Sequence, residues 1–266
     1  MLLAIDIGNT NVTLGVFDGE RLRATWRMAT DINRMADEYA ALLLNLLAHD
    51  GLEPADIREA AMCSVVPPLV GTFEDLLERY CDTSALVVKV GVKTGVRITY
   101  PNPREVGADR IVNAAAAHHL YEGSVIVVDM GTGTTFDIVN RDGDFVGGVI
   151  APGIGIAAQA LYTRTAALPR VELVAPEKAI GTSTISAMQS GIVFGYIGLV
   201  EGLLRRVQKE LPEKAKVVAT GGYAGLIARG TRLIDEVNPD ITLVGLRLIY
   251  QMNKGEAPDS GHRSRS

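Results

Sequence analysis

The strongest constraint on this chain is a pattern that occurs twice. Residues 2–8 read LLAIDIG and residues 125–131 read VIVVDMG, and each is an apolar, strand-like run closed by Asp-x-Gly. The likeness continues past the aspartate: the first copy runs DIGNTNVTLGVFDGE and the second DMGTGTTFDIVNRDGD. Both predict a strand, a tight polar turn, a second strand and an Asp-Gly hairpin turn, at Asp18-Gly19 and Asp142-Gly143. The offset is 123 residues, close to half the chain. A layout repeated at that spacing predicts two homologous halves, each opening with a β-hairpin whose turn carries an aspartate.

The remaining sequence alternates between the two periodicities. Helical apolar spacing occupies 36–48 and 69–80, with a buried strand at 59–66 that Pro67 and Pro68 are expected to stop. A strand at 85–90 and an Ala-rich helix at 106–121 follow. Beyond the second hairpin, helices are predicted at 155–162, 183–209, 223–229 and 241–252, and a strand at 215–219 runs into Gly221-Gly222. Such alternation predicts an α/β fold with two sheets. The boundary is expected near 117–124, giving an N-terminal half at 1–117 and a C-terminal half at 118–255. Residues 256–266, rich in Gly, Ser, Pro and Arg, have the composition of a disordered tail.

Composition narrows the partners. With 266 residues, 47% of them apolar, the chain can bury a sizeable core. Its net charge of −5 and its lack of a basic tract argue against free-standing nucleic-acid or anionic-membrane binding, which requires clustered Lys and Arg. No apolar run approaches the roughly 20 residues of a membrane span. The N-terminus is apolar, but Asp6 interrupts it and no basic segment precedes it, so a cytoplasmic protein is expected. Cys63 and Cys81 read as reduced packing residues. His118 and His119 are sequence neighbours that point apart on a helix, a poor ligand pair.

Four segments have residue types suited to phosphate chemistry. In Asp6-Ile7-Gly8-Asn9-Thr10-Asn11, the glycine permits close approach of a phosphate to the backbone, and the Asn and Thr side chains are neutral donors. An ordinary polar hairpin accounts for the same residues. Asp129-Met130-Gly131-Thr132-Gly133-Thr134-Thr135 is a second hydroxyl-lined turn, suited to phosphates or a cation. The pair together is more telling than either alone. Val218 to Tyr223 carries Gly221-Gly222 between a strand and a helix, where a flat base could lie against the backbone, although a plain strand-to-helix turn looks the same. In Gly107-Ala108-Asp109-Arg110, Asp109 is either a stabiliser of the helix N-terminus or a general base, with Arg110 beside it for an anionic group. No GxxxxGK[ST] motif occurs, which disfavours a P-loop kinase.

Taken together, these segments resemble the actin/sugar-kinase/Hsp70 superfamily, and within it the type III pantothenate kinases. The resemblance spans Met1 to about Lys254. It rests on AIDIGNTN, Tyr100-Pro101-Asn102-Pro103, GADR at 107–110, DMGTGTTFD at 129–137, APGI at 151–154 and GTST at 181–184, in that order. It implies two duplicated actin-like (ribonuclease H-like) domains with a nucleotide cleft between them. It implies an ATP phosphate loop made of Asp6, Ile7, Gly8, Asn9, Thr10, Asn11, Val12 and Thr13, with Thr132 assisting. Asp109 would be the base acting on the pantothenate hydroxyl. Tyr100, Gly107, Ala108, Asp109 and Arg110 would line the substrate pocket, and Thr184 would reach it in a homodimer, from the neighbouring subunit. Asp129 would bind a monovalent cation, K⁺ or NH₄⁺, and Mg²⁺ would accompany ATP. The implied reaction converts ATP and pantothenate to ADP and 4′-phosphopantothenate, opening coenzyme A synthesis.

Two further features and three rivals bear on that reading. The Ala-rich stretch Val112 to Ala117 suits close helix packing, and the apolar, Gly-spaced helix around Ser186 to Leu204 must bury its faces in a core or a dimer interface. A non-catalytic nucleotide-binding regulator, such as a transcription accessory factor, has no need of an acid at position 109. A superfamily kinase acting on another small acid or sugar sits poorly with GADR and YPNP together. An actin-like filament protein would need surface insertions for which this chain has little room.

Overall fold

In the computed structural model, which describes residues 1–254, the repeated pattern becomes two sheets of one topology. In the first, β1 (Leu2–Ile7), β2 (Asn11–Asp18) and β3 (Arg21–Ala29) form an antiparallel meander. Helix α1 (Ala36–His49) leads to β4 (Glu59–Ser64), parallel to β1, and α2 (Pro67–Cys81) leads to β5 (Ala85–Val87), parallel to β4. The strand order is β3-β2-β1-β4-β5.

The second sheet repeats this plan after a short β6 (Arg97–Ile98) and helix α3 (Ala108–Leu120). Strands β7 (Val125–Met130), β8 (Gly133–Val139) and β9 (Asp144–Pro152) form the meander. Helices α4 (Ile154–Arg164) and α5 (Thr184–Glu210) precede β10 (Lys216–Thr220), parallel to β7. Then α6 (Ala224–Ala228), β11 (Glu236–Val237) and the closing α7 (Ile241–Asn253) follow. The order is β11-β10-β7-β8-β9-β6, the first order with β6 added at the edge. Even the irregularities match: the ladder slips between Val16 and Phe17 in one meander and between Ile138 and Val139 in the other. These positions are equivalent once the second hairpin turn is counted one residue shorter.

Two compact units result. One comprises Met1–Gly95 with the described chain from Leu243 onward, and the other comprises Val96–Thr242. In the first unit, Leu3, Ile5, Ile7 and Leu14 pack with Tyr39 and Leu43 of α1 and Phe73 of α2. The Tyr39 and Phe73 rings lie 4.9 Å apart. Strand β4 ends at Ser64, two residues short of the expected end, and Pro67 and Pro68 open α2 at its first positions, where a missing N–H costs nothing. From Leu243, α7 lies on this sheet: the Leu243 side chain occupies the space beside Gly15, and the Arg247 guanidinium lies 5.7 Å from the Phe17 ring centroid.

In the second unit the two faces of the sheet are sorted by the period of two along each strand. Ile126, Val128 and Met130 of β7 and Phe136 and Ile138 of β8 face α5, where Ile192, Val193, Val200 and Leu204 meet them. Val125 and Val127 point the other way, toward Ala116 and Ala117 of α3, and Val139 and Phe145 meet Ala114. The alanines let α3 approach the sheet closely. Helix α5 is long and apolar enough to cross a membrane by length and composition, but its buried stripe is that of a core helix. The tail at 256–266 lies outside the described residues.

Candidate active site

The sorting of faces decides which polar groups meet. Asp129 continues the Val125–Val127 face of β7, and Thr135 and Asp137 continue the Val139 face of β8, so all three point toward α3. The first turns of α3 carry Asp109, Arg110 and Asn113. A polar cluster forms on that side of the sheet.

Arg110 is its anchor. Its side chain is 8% exposed, and its Nε donates to Asp137 Oδ1 at 2.6 Å in a carboxylate that is 0% exposed. Thr135 Oγ1 donates to the other oxygen, Oδ2, at 3.0 Å. The guanidinium carbon lies 5.3 Å from the Phe145 ring centroid, and the Tyr100 ring lies 5.5 Å from the same ring. Arg110 Nη2 is buried and makes no hydrogen bond. Burial pushes the Asp137 carboxyl upward, against the pull of the guanidinium and the Thr135 hydroxyl.

Asp109 occupies the first turn of α3, where Gly107 is the N-cap. Its Oδ1 accepts the Arg110 backbone N–H at 2.8 Å. A Cβ on Gly107 would stand 2.5 Å from that oxygen, so the glycine makes room for the carboxylate. Burial raises the proton affinity of Asp109 above the ordinary aspartate range, with the Arg110 amide and charge working in the opposite direction. Asp129 is pushed to about 6, first by burial and then by the charge of Asp109, while the Asn113 amide pulls it down. That amide sits 3.5 Å from Asp129 Oδ2, and Thr242 Oγ1 donates to Asn113 Oδ1 at 2.7 Å, which fixes its orientation.

The cluster therefore offers a carboxylate of raised proton affinity, Asp109, beside a locked guanidinium, and a second buried carboxylate, Asp129. Such donors suit a hard cation. Among the described residues, no group of three or more His, Cys, Asp or Glu side chains is placed to hold a metal ion. A cation at Asp129 would thus rely on further ligands from water, backbone or substrate.

The other expected residues are placed as follows. Tyr100 is half-buried against Phe145, within reach of the Arg110 environment. Ala108 opens α3. Thr132 stands exposed in the turn between β7 and β8, and Thr134, buried on the α5 face, shares a hydrogen bond with the Tyr196 hydroxyl. Thr184 is exposed at the start of α5, behind a Ser183–Ser186 capping box, and no hydrogen bond joins it to the acidic cluster. In the first unit, Asp6 pairs in register with Thr13 and Cys63, and Cys63 Sγ lies 3.4 Å from Asp6 Oδ1 as a donor. Cys63 is therefore more than packing. Gly8 N–H donates to Asn11 O at 3.0 Å and closes the turn, leaving the Asn9, Thr10 and Asn11 side chains exposed. Ile7 and Val12 are buried in the hairpin.

Sequence reasoning missed Asp137 and Asn113. The signal for Asp137 was present: a carboxylate in the middle of a buried strand, TTFDIV, needs a partner.

The comparisons point in one direction. The family profile described as type III pantothenate kinase matches residues 2–206. A type III pantothenate kinase of Dehalococcoides mccartyi (strain CBDB1) is 58% identical over 253 residues, 95% of this chain and 96% of that protein. One from Moorella thermoacetica is 51% identical over 95% of this chain and 100% of its own length. Among solved structures, a Baf family protein from Campylobacter jejuni, described as a transcriptional activator, superposes with a TM-score of 0.60 at 19% identity, covering 94% of this chain and 98% of that one. A 2-dehydro-3-deoxygalactonokinase protein from Sinorhizobium meliloti gives 0.56 at 15% identity, covering 96% and 100%. At such low identity these two speak for the fold alone: duplicated, actin-like and α/β. With a family profile covering most of the chain, and more than half of its residues shared with relatives along nearly the full length, this protein belongs to the type III pantothenate kinase family.

Proposed function

We propose that the protein transfers the γ-phosphoryl group of ATP to the primary hydroxyl of pantothenate, giving ADP and 4′-phosphopantothenate, the entry to coenzyme A synthesis. Family membership supports the reaction. The observation that carries the site is the pairing of Asp109, whose proton affinity burial raises, with Arg110, held by Asp137. Asp109 takes the hydroxyl proton as the oxygen–phosphorus bond forms and the bond to the β-phosphate oxygen breaks. Arg110 pairs the substrate carboxylate. Tyr100, Gly107 and Ala108 line the same pocket, and Thr184 contributes from a partner subunit.

The turn residues Asp6, Ile7, Gly8, Asn9, Thr10, Asn11, Val12 and Thr13 are assigned to the ATP phosphates, as is Thr132. Mg²⁺ accompanies the nucleotide and offsets phosphate charge. Asp129 is assigned to K⁺ or NH₄⁺; a cation there would keep ionised a carboxylate that burial and Asp109 otherwise push toward protonation. The sequence halves 1–117 and 118–255 are read as ancestral duplicates, a reading that the matched strand orders support.

A homodimer and a cytoplasmic setting belong to the same reading. Gly191, Gly195 and Gly198 leave one side of α5 open, with no atom within 4 Å of a Cβ built on any of them. Ile180 is 85% exposed and Ile185 52%, an apolar surface suited to a second copy. Cys63 and Cys81 are buried and form no disulfide among the described residues, which fits a reducing compartment.

The test is ADP release by purified protein with Mg²⁺-ATP, with and without pantothenate, in K⁺ and in Na⁺ buffer. Release that needs both pantothenate and K⁺ is the expected result. ATP binding without pantothenate-dependent release would count against the proposed acceptor.

A further inference from the structure

Asp137 and Gly148 are direct partners across the β8–β9 ladder. Residues opposed in this way share a face of the sheet, so a side chain at 148 would project beside the Asp137 carboxylate. The space is taken instead by the Arg110 guanidinium. A Cβ built on Gly148 would overlap Arg110 Nη2 and the Phe136 carbonyl oxygen, and it would lie 3.2 Å from Asp137 Oδ1. The guanidinium is thus confined on several sides. Asp137 accepts from its Nε edge, Phe145 stands beside it, and Gly148 supplies the clearance that Nη2 fills.

The way the pair is made leaves something over. Asp137 takes the Nε edge, and its second oxygen is occupied by Thr135. Tyr100 also hydrogen-bonds the guanidinium, yet Arg110 Nη2 is left buried with no hydrogen-bond partner among the described residues. A buried donor without a partner is costly, and one of the cheapest remedies is an anionic oxygen from a ligand.

We propose that Asp137 and Gly148 form a seat that fixes Arg110 with its Nη2 group unspent, and that this seat sets the preference of the enzyme for a substrate bearing a carboxylate. Both are positioning residues, since they act through Arg110. The inference rests on the assignment of pantothenate as acceptor.

The measurement is selectivity between pantothenate and its alcohol analogue, which keeps the reacting hydroxyl and replaces the carboxylate with a hydroxymethyl group. Two variants are compared with the wild type: Asp137→Asn, which keeps the shape and removes the charge, and Gly148→Ala, which keeps both charges and removes the clearance. Wild type is expected to favour pantothenate by at least about 10-fold in kcat/KM, the scale of a charge-assisted hydrogen bond. In each variant that preference falls by about 10-fold or more, chiefly through the KM for pantothenate, while the KM for ATP holds. A merely structural role would lower both substrates together and leave their ratio unmoved.

An unchanged ratio in variants that retain the wild-type circular dichroism spectrum would overturn the seat, as would a wild type indifferent to the carboxylate. Should Asp137→Asn fail to fold, Gly148→Ala carries the test. Calorimetric binding of pantothenate separates the two assignments. Wild type that binds pantothenate without phosphorylating it counts against the kinase reaction alone, and variants that bind it as tightly as wild type count against the seat.

Discussion

A side chain at Gly221 would collide with Asp129: its Cβ would stand 2.6 Å from Asp129 Oδ1 and 2.6 Å from the Met130 carbonyl carbon. Gly221 also has φ of +89°, in the region where side chains are disfavoured. Gly221→Ala is therefore expected to destabilise the protein by roughly 1–3 kcal/mol, the usual cost of such backbone strain, and to displace the Asp129 carboxylate. Thermal unfolding measures the first effect. The second should appear as a raised K⁺ concentration for half-maximal activity, and an unaltered K⁺ response would count against the cation role proposed for Asp129.

Asp109→Asn keeps the shape of the side chain and removes the carboxylate proposed as the base. Turnover should fall by roughly 10²–10⁴-fold, the usual contribution of general-base catalysis, with ATP binding retained. Near wild-type turnover would remove Asp109 from the mechanism.

The pH profile should follow from the same burial. Asp109 must be ionised to accept a proton, and burial raises its proton affinity. The acid limb of kcat/KM is therefore expected above the range of an ordinary aspartate, with activity increasing as pH rises through it. A limb at the position of a free carboxylate would contradict the assignment.

Asp129 makes a prediction about stability with a definite sign. Its folded pKa of about 6 lies above the ordinary value of 3.8. Folding thus favours the protonated form, so the stability that this proton provides is present at low pH and is lost as pH rises through about 6. The shift corresponds to at most about 3 kcal/mol. Asp129→Asn should be more stable than wild type at pH 8 in the absence of cations, and the gap should close toward pH 4. Chemical denaturation at the two pH values decides; a gap that widens on acidification would refute it.

The open side of α5 permits a clean test of association. No atom lies within 4 Å of a Cβ built on Gly195, so Gly195→Arg fits the protomer sterically. A helix interior also tolerates arginine better than glycine. The variant should fold and run as a monomer in light scattering, where wild type is expected to run as a dimer. A dimeric Gly195→Arg would place the interface elsewhere.

Much of the architecture could be read from the chain alone. The Asp-x-Gly repeat predicted two hairpins in two sheets, and the sheets share one strand order down to the position of the ladder slip. Asp109 and Arg110 were expected to open an Ala-rich helix, and they occupy the first turn of α3. These features are local: each depends on residues within a turn or a strand of one another, so composition and period suffice to mark them.

What the sequence could not supply was the company these residues keep. Arg110 meets Asp137 at a separation of 27 residues, and Gly148 joins them from the next strand. That meeting depends on which face of β8 turns toward α3 and on the register of β8 against β9; a slip of one residue would send Asp137 to the opposite face. The two-residue β6, parallel to β9, likewise arises from pairing rather than from any periodicity of its own. The sequence by itself determined the duplicated α/β plan and the chemistry available at each turn. Only the tertiary structure decided which charge is buried against which, because register and face are properties of the assembled sheet.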